Sequence, residues 1–193
     1  MIKGLLSLST QFTPKVNSAI DRHTLCVACS VPSAAGGLCQ ACRRDLPANH
    51  HGCCRCALPL PLSAPPDSLC GECQADLPPF SATIAPWTYR FPVDQMIGRY
   101  KYHRQLSLGH ALIRCFVDHI DQELAARPER RPHLLVPSPM HRSRQRRRGF
   151  NQAEDIAEKL SRRLGIPWSI TLARRIRSAP SQSGLNRAQR QQN

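Results

Sequence analysis

Eight of the ten cysteines fall into four C-x-x-C pairs, Cys26/Cys29, Cys39/Cys42, Cys53/Cys56 and Cys70/Cys73, and no other feature of the 193 residues restricts the fold so tightly. Nine residues separate the first two pairs and thirteen the last two. A C-x-x-C turn points two sulfurs at one centre, and two such turns complete a tetrahedral S4 cage for zinc. Thiolate is a soft ligand, which favours zinc, with a rubredoxin-like iron site as the competitor. The intervening sequence, "GLCQACRRDLPANHHGCCRCALPLPLSAPPDSLCGECQADLPP", is rich in proline and short of large apolar residues, so metal binding has to supply its folding energy. A disulfide framework would need an oxidising compartment that nothing else in the sequence indicates. Sequential ligation puts one metal on Cys26, Cys29, Cys39 and Cys42 and the other on Cys53, Cys56, Cys70 and Cys73. It closes shorter loops than an interleaved arrangement, which stays open as the alternative. Cys54 can replace Cys53 only by losing the two-residue gap to Cys56. His50 and His51 are neighbours that cannot both face one metal, and they read as surface.

The net charge of +14 is unevenly placed: residues 140–193 hold 13 Lys+Arg against 3 Asp+Glu. Five of those cations, Arg142, Arg144, Arg146, Arg147 and Arg148, crowd into seven residues. Such density predicts a polyanionic partner, whether nucleic acid, a phosphorylated ligand or an anionic membrane face, and the plain alternative is a solvated surface. Arginine grips phosphate through a planar fork. No stretch approaches the ~20 apolar residues of a membrane span. The apolar patch near the N-terminus is shorter than a signal-peptide core, so the chain is read as cytoplasmic, with reduced thiols.

Beyond residue 79 the composition changes. Residues 80–91 read as a strand or hairpin arm interrupted by Pro86, and residues 93–105 as a short helix ending in a basic, aromatic run. From Ser107 onward, Leu108, Ala111, Leu112, Cys115, Phe116 and Ile120 make a helical stripe with Arg114, Asp118 and Asp121 opposite. Cys115 inside that stripe reads as a buried apolar thiol. "HLLVPSPMH" is predicted to be a buried parallel strand running into a tight arginine loop. A second helix follows with Asn151 as its cap, Glu154 in a capping box, and Gly165 and Pro167 as its stop. Residues 168–172 supply another candidate strand. The alternation predicts an α/β domain with parallel strands, in which ligands bind beyond the carboxyl ends of strands. The arginine loop lies at that edge, braced by the helix behind it.

The four pairs, "KYH", "VPSPMHRSRQRRRGFNQAEDIA" and "RIRSAPSQSGLNRAQRQQN" together resemble the ComF/GntX family over residues 26–193. The resemblance implies an N-terminal segment over 1–25, a double zinc ribbon over 26–79, and a type I phosphoribosyltransferase-like parallel-sheet domain over 80–193, incomplete at its C-terminus. It associates the chain with natural competence and with growth on DNA as a nutrient. By the same resemblance residues 137–142 correspond to a pyrophosphate-binding loop, with Ser138, Met140, His141 and Arg142 as phosphate-binding residues. Lys101, Arg144, Arg146, Arg147 and Arg148 are read as nucleic-acid contacts, and no catalytic residue is assigned. Two departures stand out. The second metal knuckle reads Cys53-Cys54-Arg55-Cys56, where the family commonly has a proline inside the pair and a glycine after it. The family's acidic pair and Thr/Ser-Gly turn, which hold the ribose phosphate of phosphoribosyl pyrophosphate, are missing. The only adjacent acidic residues, Glu154 and Asp155, fall on a helix.

Three functions follow as expectations. The first is an accessory protein for uptake, processing or utilization of DNA, with two structural zinc ions, that binds single-stranded DNA or another nucleic acid, or a DNA-processing partner protein. The second is a phosphoribosyltransferase acting on a nucleobase-like substrate with phosphoribosyl pyrophosphate and magnesium, inactive in this truncated chain. The third is a purely structural zinc adaptor.

Overall fold

The apolar stripe that begins near residue 107 becomes the central strut of the molecule. The structure, a computed structural model, describes residues 25–32 and 37–177 together with Asn186 and Gln189. The predicted N-terminal segment up to residue 24 lies outside the described residues, as does the S-Q-S-G-L block at 181–185. Helices α1 (Gln40–Arg44) and α2 (Gly71–Ala75) belong to the cysteine-rich part. They are followed by α3 (Val93–Tyr102), α4 (Leu106–Ala126), a 3-10 turn at Pro128–Arg130, α5 (Arg142–Arg148) and α6 (Gln152–Leu164). Among the described residues no helix is long and apolar enough to cross a membrane.

Helix α4, 21 residues long, buries side chains on more than one face. Leu108, Ala111, Leu112 and Cys115 pack with Val93 and Met96 of α3 and with Cys26, Leu38 and Leu46 of the first cysteine module. The first cysteine module and the helical part therefore share one core. Ile113 and Val117 meet Tyr100, Phe150, Ile156 and Leu160. Ile120 and Leu124 close against Leu164 and Ile166 at the end of α6. Each fully buried aliphatic side chain contributes roughly 1.5–3 kcal/mol. The polar side of the predicted stripe is also used. Asp118 pairs with Arg43 at 3.5 Å and Asp121 with Arg163 at 2.8 Å, which ties α4 to α1 and α6.

At the crossing of α3 and α4 the backbone of Gly109 lies against the Tyr100 ring. A β-carbon built at Gly109 would stand 2.1 Å from a ring carbon, so only glycine permits this approach. The Tyr100 hydroxyl donates to Asp155 of α6 at 2.5 Å, and Lys159 and His110 also reach that carboxylate. Burial alone would raise the Asp155 pKa. The bonds from Lys159 and Tyr100 and the charges of Lys159 and His110 outweigh it and hold the carboxyl below its ordinary range. A depressed carboxylate pKa stabilises the fold at pH values above the unfolded-state pKa, and that contribution disappears as pH falls through the folded-state value.

Three expectations change. The predicted parallel strands meet in a single parallel bridge, Leu135 with Trp168. There the Leu135 N–H donates to the Pro167 carbonyl at 2.9 Å, and the Ser169 N–H donates to the Leu135 carbonyl at 3.0 Å. Among the described residues extended pairing is limited to five isolated bridges, and no sheet forms. Two short segments without flanking neighbours have too little shared surface to lengthen the ladder, and Leu134, Val136, Ile170 and Leu172 stay exposed. Residues 80–91 form no strand either. They run irregularly, touching the cysteine-rich part through an antiparallel Ala48–Trp87 bridge. Pro86 has no N–H to give to a ladder. The arginine loop is a helix. Arginine is a good helix former, the His141 side chain caps α5 by accepting from the Ser143 N–H, and Gly149 ends it at φ +92°.

We expect Gly109→Ala to destabilise the protein by about 1–3 kcal/mol, because the added methyl overpacks the α3–α4 crossing. Urea unfolding followed by circular dichroism reads this directly, and an unchanged midpoint would show that the crossing relaxes without cost.

Candidate metal centres and anion-binding cleft

The cysteine-rich part is one turn used twice, 27 residues apart. In the first copy the Ser30 N–H donates to the Cys26 carbonyl at 2.8 Å, and the Cys26 N–H donates to the Val31 carbonyl at 2.8 Å. In the second, Ala57 donates to Cys53 and Cys53 donates to Leu58, again at 2.8 Å each. Antiparallel bridges Leu25–Pro32 and Gly52–Pro59 flank the two turns. The second pair of each set opens a short helix, with Cys39 and Cys70 as N-caps of α1 and α2. The sulfurs of Cys26, Cys29, Cys39 and Cys42 gather within 4.8 Å of one another, as do those of Cys53, Cys56, Cys70 and Cys73. The grouping is sequential, not interleaved.

These sulfurs suit a tetrahedral metal. Cys29 and Cys39 stand 3.7 Å apart and Cys56 and Cys70 3.6 Å apart, against an edge of about 3.8 Å for a tetrahedron with 2.3 Å metal–sulfur bonds. Such separations are far beyond a disulfide bond of about 2.05 Å, and all ten cysteines are free thiols. The first sulfur of each set is prepared as a thiolate. Burial opposes ionisation of Cys26, but backbone N–H groups of Cys39, Cys29 and Ala28 outweigh it and lower its pKa to about 6. At Cys53 burial is likewise outweighed, by the N–H groups of Cys56, Cys70 and Arg55, again giving about 6. Cys54 is exposed and lies outside both groups, as do His50 and His51. Cys115 is buried in α4, where burial raises its pKa.

The basic cleft is built around Asn151, the predicted cap of α6. This residue is 5% exposed. Its Oδ1 accepts from the Ala153 N–H at 3.1 Å, while Nδ2 donates to the Ser138 carbonyl at 3.2 Å and to Glu154 at 2.9 Å. One side chain thus starts the helix and pins the 137–141 segment across its end. Arg148, at the end of α5, donates to Gln152 Oε1 at 2.6 Å and stacks 5.4 Å above the Tyr102 ring. The result is a cavity of about 350 Å³.

Of the residues singled out in the sequence, Lys101, Ser138, Met140, His141, Arg144 and Arg148 line this cavity together. Three of the four predicted phosphate-binding residues and three of the five predicted nucleic-acid contacts therefore meet in one place. Arg142 lines an adjoining cavity of about 530 Å³ with Pro137 and Arg174. Arg146 and Arg147 are exposed and line neither cavity. Two cleft residues were not picked out as ligands: Gln152, hidden in the capping sequence, and Arg175, in a run that reads as loop. Among the described residues no carboxylate lines the 350 Å³ cavity. Glu154 and Asp155 line a neighbouring one of about 720 Å³.

The chain thus pairs two tetracysteine modules, each able to hold a metal ion, with a helical part that carries a basic cleft. The curated relatives sharpen this. The chain is 28% identical over 171 residues to the DNA utilization protein YhgH of Salmonella typhimurium, covering 88% of this chain and 74% of the relative. It is 28% identical over 170 residues to competence protein F of Haemophilus influenzae, covering 87% and 72%. The Escherichia coli YhgH protein matches at 29% over 171 residues, covering 88% and 74%. These similarities agree with the resemblance to the ComF/GntX family read from the sequence. No family model matches, and no solved structure matches significantly.

Elemental analysis of the reduced protein is expected to find two zinc ions per chain, and well under two would overturn the assignment of both cages. A second expectation concerns the turn residues. Ser30 and Ala57 sit at φ +60°, a conformation that costs a side-chain-bearing residue roughly 1–2 kcal/mol. Ala57→Gly should slow metal loss to a chelator and raise stability by about 0.5–1 kcal/mol, after allowing for the greater freedom of glycine in the unfolded chain.

Proposed function

We propose that this chain is an accessory protein in the uptake, processing or utilization of DNA, and that it binds single-stranded nucleic acid in the cleft between α3, α5 and α6. The relatives' names support a role in competence and DNA utilization. The observation that carries the binding step is the cavity lined by Lys101, Arg144, Arg148 and Arg175, with no carboxylate among the described residues of its walls. Phosphate contacts of this kind supply most of the affinity for a nucleic-acid strand, and arginine stacked on an aromatic ring, as Arg148 is on Tyr102, offers a plane for an exposed base. Two zinc ions held by the eight paired cysteines would supply folding energy to the proline-rich part and keep it rigid as a docking module. The shared core of the first module with α3 and α4 means that this rigidity extends to the wall of the cleft that carries Lys101.

A phosphoribosyltransferase is the second reading, favoured by the parallel Leu135–Trp168 bridge that leads into residues 137–141 at the cleft. Against it, the adjacent acidic pair is committed to structure. Asp155 is bound by Tyr100 and Lys159, and Glu154 by Asn151.

Binding of a short single-stranded DNA should weaken linearly in log–log form with salt, by about 0.7 per neutralised phosphate. Changing Lys101, Arg144 and Arg148 to alanine together should reduce that slope by about two. An unchanged affinity and slope would reduce the cluster to a solvated surface. Tight, magnesium-dependent binding of phosphoribosyl pyrophosphate by calorimetry, with no strand binding, would favour the enzyme.

A further inference from the structure

Gln152 is a buried group whose donor the binding step above leaves unused. It is 7% exposed and lines the 350 Å³ cavity. Its Oε1 accepts from Arg148, which assigns the amide orientation, and its Nε2 has no hydrogen-bond partner among the described residues. A buried N–H without an acceptor is costly, and such groups persist where a ligand satisfies them. Around it stand Lys101, Arg144, Arg148 and Arg175, at the N-terminus of a 13-residue helix. That helix end itself favours an anion.

We propose that this cavity recognises a phosphomonoester, the terminal phosphate of a single-stranded nucleic acid, and that Gln152 Nε2 is its neutral donor. The inference rests on the nucleic-acid-binding reading and specifies which part of the strand enters the cleft. An internal phosphodiester carries one charge and is flanked by two sugars, so it lies along a surface. A terminal phosphate projects beyond the strand, carries close to two charges at neutral pH and offers three acceptor oxygens. Four cationic side chains around one recessed amide suit the second geometry. Gln152 holds the Arg148 guanidinium through one end of its amide and leaves the other end for phosphate, so the two donors keep a set spacing. Arg148 is further oriented by the Tyr102 ring.

The test uses the zinc-loaded full chain and fluorescence anisotropy with single-stranded DNA bearing either a phosphate or a hydroxyl at its 5′ end, and a matched pair differing at the 3′ end. One of the two phosphorylated ends should bind at least ~10-fold tighter than its hydroxyl partner, as expected for one added charge-assisted contact. Gln152→Leu and Gln152→Glu should bring that ratio close to one, with zinc content and circular dichroism confirming that each variant is folded. Equal affinity of wild-type protein for phosphorylated and hydroxyl ends would overturn the inference while leaving general strand binding intact. No binding to any strand would overturn both. Ribose 5-phosphate binding as tightly as the phosphorylated strand would assign the cavity to a small phosphate ester and overturn the strand-end assignment.

Discussion

Burial of α4 on several faces at once is the interaction on which the other parts of this molecule depend. One face takes the first cysteine module and α3, another takes α6 and Phe150, and the C-terminal end takes Leu164 and Ile166. A helix of this kind cannot be stable on propensity alone, since most helical stability in proteins comes from tertiary packing. Its partners are equally dependent. The first cysteine module offers Cys26, Leu38 and Leu46 to the common core, and α6 has an apolar face of Ile156, Ala157, Leu160 and Leu164 that needs something to lie against. Disrupting the first cysteine module would therefore loosen the α3–α4 packing, whereas the second module has its own small cluster of Cys53, Cys70 and Cys73.

The two cysteine modules illustrate how much a repeated local geometry can demand of its side chains. Both turns place the residue after the second cysteine in the left-handed region, and neither Ser30 nor Ala57 is suited to it. The strain persists because the hydrogen bonds on either side and the converging sulfurs define the turn. A metal ion in each sulfur cage would supply the free energy that the proline-rich sequence cannot obtain from apolar burial.

The cleft depends on the same economy of contacts. Asn151 serves the helix and the 137–141 segment at once, and Gln152 serves Arg148. Charges that would repel in isolation are brought together by neutral groups, and the two nearby carboxylates are held elsewhere by Asn151, Tyr100 and Lys159. The cationic face is thus produced as much by where the acids are tied as by where the arginines lie.

The sequence by itself determined the features whose physics is local. Four C-x-x-C pairs specify two sulfur cages through a turn of fixed reach. Asn151, Glu154 and Gly165 mark both ends of α6 because caps act within one turn. The apolar spacing of α4 names one buried face, Leu108, Ala111, Leu112, Cys115 and Ile120, but not Ile113, Val117 and Leu124. Even there the reading was incomplete, since the arginine cluster reads as a loop and is a helix capped by His141 and closed by Gly149. What only the tertiary structure decided is everything that joins distant segments. The meeting of Lys101 with Gln152 and Arg175 depends on how α3, α6 and the 173–177 run pack, and no spacing rule connects them. The glycine at 109 matters only because Tyr100 happens to cross it. The parallel ladder is legible as a tendency in residues 134–136 and 168–172, yet a ladder needs neighbouring strands to bury both faces. Among the described residues that neighbour is lacking, so the tendency yields one bridge and no sheet.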